Sequence, residues 1–400
     1  MRNSRILVLF SIIFIAVAGY GMIVPVLPFY ARDMGANPTS LGFLFAVYPL
    51  MQFIFSPIWG RLSDNSGRRL IILAGMIGLS LSFVLLGLAG DLFTIFLARM
   101  LGGIFSSATF PTSYAYIADV TSPKERGTGI SWLSASTGLG IFLGPAMGGY
   151  LGDIRVDLPF YGAAAIAFII AVAGYFLLPE SLPLEHRKKV VLTLRDAILD
   201  PFISGYRFLK GSLGYLLALS FLMNFASANL ESTLGLMLEQ SLGVGAREVG
   251  LVFTLAGIIM VVIQGIFVGP LILRYGEIPL IQTGLVASGL GYLLLPLAPT
   301  FAILLWIMGI MSVFSSAMRP AQATLVSNTA HPEIQGIVMG QNNGFMSFGR
   351  VVGPITGGIL YNFDYAAPYY FASMIFIFGA IYGAIVLRRG KPHYGRESVP

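Results

Sequence analysis

Long apolar runs alternate with short polar connections along this whole chain, and the runs share one length scale. A helix needs about 20 apolar residues to cross the hydrocarbon core of a bilayer. Runs of that length lie near residues 6–30, 40–60, 69–90, 92–118, 128–151, 160–178, 213–237, 247–272, 278–298, 301–327, 336–360 and 367–387. They predict twelve membrane-spanning helices. At the N-terminus, Arg2 and Arg5 precede an apolar run, and Ala16-Val17-Ala18 offers the small residues of a signal-peptide cleavage site. The run continues past that point to Tyr30, so it reads as the first span.

The pattern repeats itself. From Gly60 to Leu151 the chain matches its own later part at an offset of 209 residues without a gap. Phe105-Ser106-Ser107-Ala108 recurs as Phe314-Ser315-Ser316-Ala317. Gly140, Gly144-Pro145 and Gly148-Gly149 recur as Gly349, Gly353-Pro354 and Gly357-Gly358. A match of this length indicates internal duplication. Six spans is an even number, so both copies share one orientation, as in transporters built from parallel repeats. The fold expected is an all-α membrane protein of two pseudo-symmetric six-helix bundles, residues 1–178 and 213–390. A basic linker, 179–212, joins them, with an amphipathic helix expected within 193–210, and 391–400 forms a tail.

Composition supports a bilayer as solvent. Hydrophobic residues make up 56% of the chain and charged residues only 10%, against about 25% charged in soluble domains. The net charge of +6 is unevenly placed. With the N-terminus inside, the inside connections hold 18 of the 24 Lys and Arg, and the outside ones hold Arg32, Arg155 and Arg247. That bias predicts both termini in the cytoplasm, and it accounts for the basic balance without nucleic acid. There is no cysteine, and His186, His331 and His393 all fall in connecting or tail segments. No metal and no cofactor are expected.

Three features carry candidate chemistry. Gly60-Arg61-Leu62-Ser63-Asp64-Asn65-Ser66-Gly67-Arg68-Arg69 joins spans 2 and 3. Its glycines allow a tight reversal, and Asp64 suits a latch onto the positive end of span 11; the alternative is a basic turn with a local ion pair. Gly140, Gly144, Pro145, Gly148 and Gly149 give span 5 a close-packing face with a bend, echoed by Gly353 and Pro354 in span 11. The third feature is charge inside spans, which is expensive and marks pathways: Arg99, Glu231, Arg319 and Arg350. Glu231 is the one carboxylate placed well within a span, so it is the candidate proton carrier, a structural ion pair being the alternative. Arg99 and Arg319 are its candidate partners. Tyr20, Tyr114, Trp132, Phe221, Asn224, Phe225, Gln341 and Asn342 are candidates to line a cavity, since lipid cannot satisfy amides.

With these motifs the chain resembles the major facilitator superfamily, and within it the twelve-span drug:proton antiporters, which include bacterial multidrug and tetracycline exporters. Gly60–Arg69 is similar to the signature loop between spans 2 and 3, Gly140–Gly149 to the antiporter motif of span 5, Ala18-Gly19 with Pro25 and Pro28 to the span-1 motif, and Arg99 with Gly103 to the span-4 motif. Phe225 to Glu231, Met318-Arg319-Pro320 and Gln341-Asn342 resemble segments of the multidrug exporters. There are departures. Gly102 stands where the span-4 motif has glutamine, Ser316 where those exporters carry aspartate, and no acid occupies the place that tetracycline exporters reserve early in span 1. The resemblance implies a major facilitator fold and proton-coupled export of amphipathic or cationic drug-like solutes by alternating access. It also implies a monomer in the cytoplasmic membrane, acting on small molecules and protons within the lipid bilayer. The alternatives are a carrier of one metabolite, such as a sugar or amino acid, and a membrane enzyme; the latter lacks any constellation of His, Cys or Asp at membrane depth.

Overall fold

The computed structural model describes residues 2–187, 211–330 and 335–389. The helix expected within 193–210 and the tail 391–400 lie outside those residues. The first run forms α1 (Arg2–Ile23) and, after a break, α2 (Leu27–Asp33). Then come α3 (Pro38–Ser66), α4 (Arg68–Gly87), α5 (Leu92–Val120), α6 (Pro123–Ile154) and α7 (Leu158–Leu177). Beyond the linker follow α8 (Gly211–Leu242), α9 (Ala246–Val262), α10 (Val268–Tyr275), α11 (Glu277–Leu294), α12 (Phe301–Thr329), α13 (Gln335–Tyr361) and α14 (Ala367–Arg389).

A helix forms at each of the twelve runs, and among the described residues eleven of them are long and apolar enough to cross a membrane by length and composition. The eleventh run forms α13, which has 27 residues. It is long enough, but Gln341, Asn342, Asn343 and Arg350 lower its hydropathy. Two expected straight spans are interrupted. Pro25 breaks the first, and Pro28 opens α2 at a position that needs no N–H. Between α9 and α10 the helix widens into a π-turn over Ile263–Phe267, a feature often found at functional sites.

Buried residues form separate cores. One runs from Tyr215 to Ala380 and two others lie within Val8–Leu178. Outside them, Phe93, Phe176, Trp306 and Phe363 are all more than 70% exposed. Such a surface has no place in water and suits hydrocarbon. The protein is a multi-pass, membrane-embedded chain.

Close approach between helices rests on small residues. A Cβ added at Gly144 would lie 2.6 Å from Ala18 O, so α1 and α6 meet backbone to backbone. In the other half, Gly349 and Gly353 press against the backbone of Phe221 and Phe225 in α8. Two further seams join the halves. A Cβ at Gly149 on α6 would lie 2.9 Å from Ala246 O and 3.0 Å from Gly250 Cα of α9. On the opposite side, Gly42 of α3 lies against Pro354 O, and Gly358 of α13 against Pro38 O. At the same end Arg32 pairs with Glu239, and Asn362 Nδ2 donates to Thr39 Oγ1 at 2.6 Å. Toward the other end, added Cβ atoms at Gly60, Gly340 and Gly344 would meet nothing within 4 Å. The halves touch at one end and part at the other.

Replacing Gly149 with leucine is expected to wedge that seam apart. Spin labels at cysteines introduced in positions 37 and 361 of this cysteine-free chain should report a longer distance across the closed end, and transport should fall at least about tenfold.

Candidate functional site

Where the halves part, they enclose a cavity of about 810 Å³. Its walls follow helical periodicity. On α8 the facing residues are Met223, Ser227, Leu230 and Glu231; on α13 they are Gly340, Asn343, Gly344, Ser347, Arg350 and Pro354. Five prolines within helices also face it: Pro49, Pro57, Pro111, Pro145 and Pro354. Each leaves a backbone carbonyl without its helical donor, which lipid cannot supply and a wet cavity can. Gln264, in the π-turn, reaches the cavity and donates to Ser316 O at 3.2 Å.

The walls differ in chemistry. The N-terminal half contributes the aromatics Tyr20, Phe45, Tyr48, Phe53 and Phe110. The C-terminal half contributes the methionines Met223, Met260, Met308, Met311 and Met318 together with the aromatics Phe253, Tyr292 and Phe376. Methionine is flexible and polarisable, and it accommodates ligands of differing shape.

The charges gather near one another. Tyr20 Oη donates to Glu231 Oε2 at 3.1 Å, joining the two halves across the cavity. Among the described residues Glu231 makes no ion pair. Arg319 Nη2 donates to Ser227 Oγ at 2.8 Å, and Arg350 Nε to Asn224 Oδ1 at 3.4 Å. Both arginines line the cavity. Arg99 does not. It is 2% exposed, behind the cavity wall. Its Nε donates to Leu44 O at 3.2 Å, while Nη1 and Nη2 form no hydrogen bond. Aromatic faces hold its charge instead: the guanidinium lies 4.6 Å from the Tyr48 ring centroid, 5.5 Å from Tyr20 and 5.9 Å from Phe45.

Of the residues expected to line the cavity, the structure brings only Tyr20 there. Trp132 is exposed and meets Phe10 edge-on. Tyr114 packs against the core of the first half. Phe221 stacks with Phe225 and Phe348. Asn224 donates to Ser220 O, and Asn342 accepts from Ser220 and Gln322. Gln341 is buried too. For Phe225 the reason is rotational: six positions from Glu231, it turns about 120° from the cavity face of α8, toward α13. Asn224 lies on the helix face of Ser227 and Glu231 by spacing, but its amide is taken up by Ser220 O and Arg350. On α13 the neighbour Asn343 faces the cavity instead. Tyr48 and the methionines escaped the sequence reading, although helical spacing from Glu231 selects Met223; Asn343 was read only as one of three adjacent amides that lipid cannot satisfy.

The loop at Gly60–Arg69 is held locally. Asp64 pairs with Arg68 at 2.6 Å, and Arg68 with Asp119 at 3.2 Å. Gly67 has φ 102°, which favours glycine, and the carboxylate of Glu180 lies where its side chain would be. Glu180 accepts from Arg68 N at 2.8 Å, placing a negative charge at the start of α4. In this conformation the loop engages α5 and the linker rather than α13.

A family model described as the Major Facilitator Superfamily matches residues 9–228 and again 216–399. Multidrug resistance protein 2 of Bacillus subtilis (strain 168) is 32% identical over 382 residues, covering 94% of each chain. Quinolone resistance protein NorA of Staphylococcus aureus (strain COL) is 27% identical over 379 residues, covering 95% of each. Among solved structures, nucleoside transporter NupG superposes with a TM-score of 0.78 at 12% identity, covering 96% of this chain and 99% of that one. The human organic anion transporter MFSD10 (TETRAN) superposes with a TM-score of 0.70 at 22% identity, covering 95% and 99%.

Arg99→Lys tests the aromatic cage. An ammonium cannot spread its charge over three ring faces as a planar guanidinium does. The variant should lose about 1–2 kcal/mol of stability, read as a lower midpoint of thermal unfolding in detergent.

Proposed function

The chain belongs to the Major Facilitator Superfamily, and from that premise we propose a proton-driven exporter of amphipathic or cationic drug-like solutes. It is a transporter of small molecules and not an enzyme. The single observation that carries the proposal is the cavity: about 810 Å³, walled by methionines and aromatics, with one carboxylate, Glu231, on its face. A volume of that order suits drug-sized ligands. The names of the multidrug relatives support the same class of solute.

The two-bundle division, 1–178 and 213–390, is supported by cores that do not cross the linker. Lys and Arg placement puts both termini in the cytoplasm. In that orientation the closed end faces outward and the cavity opens to the cytoplasm, where an exporter loads. Alternating access then needs the halves to rock. Gly149 and Gly250 on one side, and Gly42 and Gly358 on the other, let the seams open and close with little side chain in the way. In the opposite state Asp64 meets the start of α13 and latches the cytoplasmic end. A proton arriving from outside neutralises Glu231 and displaces the solute, and solute bound from inside displaces the proton. Arg99 and Arg319 set the field at Glu231. No nucleic acid partner is required, and one chain holds the whole cavity.

Arg319, Arg350, Gln52 and Asn343 also face the cavity. They favour a second reading, a carrier of one polar metabolite. Growth protection by the expressed protein against a panel of unrelated drugs separates the two, since a metabolite carrier would protect against none.

In inverted membrane vesicles with an imposed pH gradient, ethidium uptake should follow the gradient. Glu231→Gln should lower that uptake at least about tenfold, and the remainder should ignore the gradient. Unchanged uptake by this variant would remove Glu231 from the coupling.

A further inference from the structure

We infer that Tyr20 is a positioning residue for proton coupling: its hydroxyl holds the Glu231 carboxylate, and its ring carries the charge state of that carboxylate to Arg99 and into α6. This deepens the proton-driven reading and rests on it.

The hydroxyl hydrogen bond at 3.1 Å crosses from α1 to α8, deep in the cavity and away from the closed end. The other polar bridges between the halves, such as Arg32 with Glu239 and Asn362 with Thr39, lie at the closed end. The Tyr20 ring, the Tyr48 ring and the Arg99 guanidinium form one mutually contacting cluster. In it the Tyr20 ring lies 5.0 Å from the Tyr48 ring and under the Arg99 guanidinium. Among the described residues Arg99 forms no ion pair, and its two Nη atoms form no hydrogen bond. It lies against the Tyr20 ring, whose hydroxyl donates to Glu231. The groups facing Glu231 are Tyr20 on α1, Arg99 on α5, Tyr292 on α11 and Arg319 on α12, with Tyr48 of α3 and Arg350 of α13 on the same cavity.

The backbone around Tyr20 is built to transmit a shift. A Cβ at Gly21 would lie 2.9 Å from Pro145, and Gly144 and Gly148 press on Ala18 and Met22. α1 cannot move here without α6. α6 in turn forms the seam with α9 through Gly149 and Gly250. An ionised carboxylate accepts a strong, charge-assisted hydrogen bond from Tyr20. A protonated one is a weaker acceptor, and the tie between the halves slackens. Binding of a proton on α8 is thereby felt on α1, α6 and the seam.

A hydrogen bond to the charged form favours it. Tyr20→Phe keeps the ring over Arg99 and removes the donor that favours the charged carboxylate. The test is ethidium binding to the full-length protein in detergent as pH is lowered. The pH of half-release, read relative to each protein's own affinity at pH 9, should rise by roughly half to one unit in Tyr20→Phe. In Glu231→Gln the same substitution should shift nothing. Incorporating 3-fluorotyrosine at position 20, a same-shape and stronger donor, should move half-release to lower pH. A wild-type midpoint in Tyr20→Phe, or no movement with fluorotyrosine, overturns the inference while leaving Glu231 as the proton site. If Glu231→Gln itself keeps the wild-type pH dependence, the proton-driven reading falls and this inference with it.

Discussion

Hydrocarbon offers no partner to a hydrogen-bonding group, and the placement of polar side chains throughout the spans answers to that constraint. Serine and threonine hydroxyls turn back to carbonyls one turn earlier, as at Ser131, Thr137, Thr254 and Ser316. Ser220, Gln322 and Asn342 close a buried network between α8, α12 and α13. Arg99 is surrounded by rings. Of the charged groups within the spans, Glu231, Arg319 and Arg350 face the cavity, as do the prolines that free backbone carbonyls. The cavity is therefore a structural necessity as much as a functional one: groups that neither lipid nor protein can satisfy need the water it admits.

The same constraint explains the glycines. Helices in lipid gain little from burying apolar side chains against one another, so close backbone approach must supply attraction by packing. The duplication provides it twice. Gly140, Gly144 and Gly148 seat α1 on α6, and their counterparts Gly349, Gly353 and Gly357 seat α8 on α13. Gly149 and Gly358, also counterparts, face outward from each half and make the two inter-half seams. A seam of small residues has shallow relief, so it can part without dragging interlocked side chains.

Equivalence in sequence does not carry through to equivalence in space. The 209-residue offset does not extend into the first helix of each half: by packing on the paired glycines, Ala18 corresponds to Phe225 and Met22 to Asn229, and Glu231 has no acidic equivalent in α1. Leu273 stands for Asp64 and is 89% exposed. The break at Pro25 and the π-turn at Ile263 re-aim their helices. The halves thus keep one scaffold and divide the chemistry. Aromatic faces and a caged arginine lie in the first, with methionines and the titratable acid in the second.

Much of this was legible along the chain. Runs of about 20 apolar residues, the 209-residue offset and paired Gly-Pro-x-x-Gly-Gly segments determine helices, duplication and packing faces, because length, repetition and the absence of a side chain are local properties. The single intramembrane carboxylate was equally plain. Which residues surround it was not. Sequence proximity favoured Phe225, Gln341 and Asn342, but a helix turns 100° per residue, and only the seating of α8 against α13 decided which face met the cavity. Tyr20 and Glu231 are 211 positions apart. Nothing local to either residue could pair them; the docking of one half against the other did.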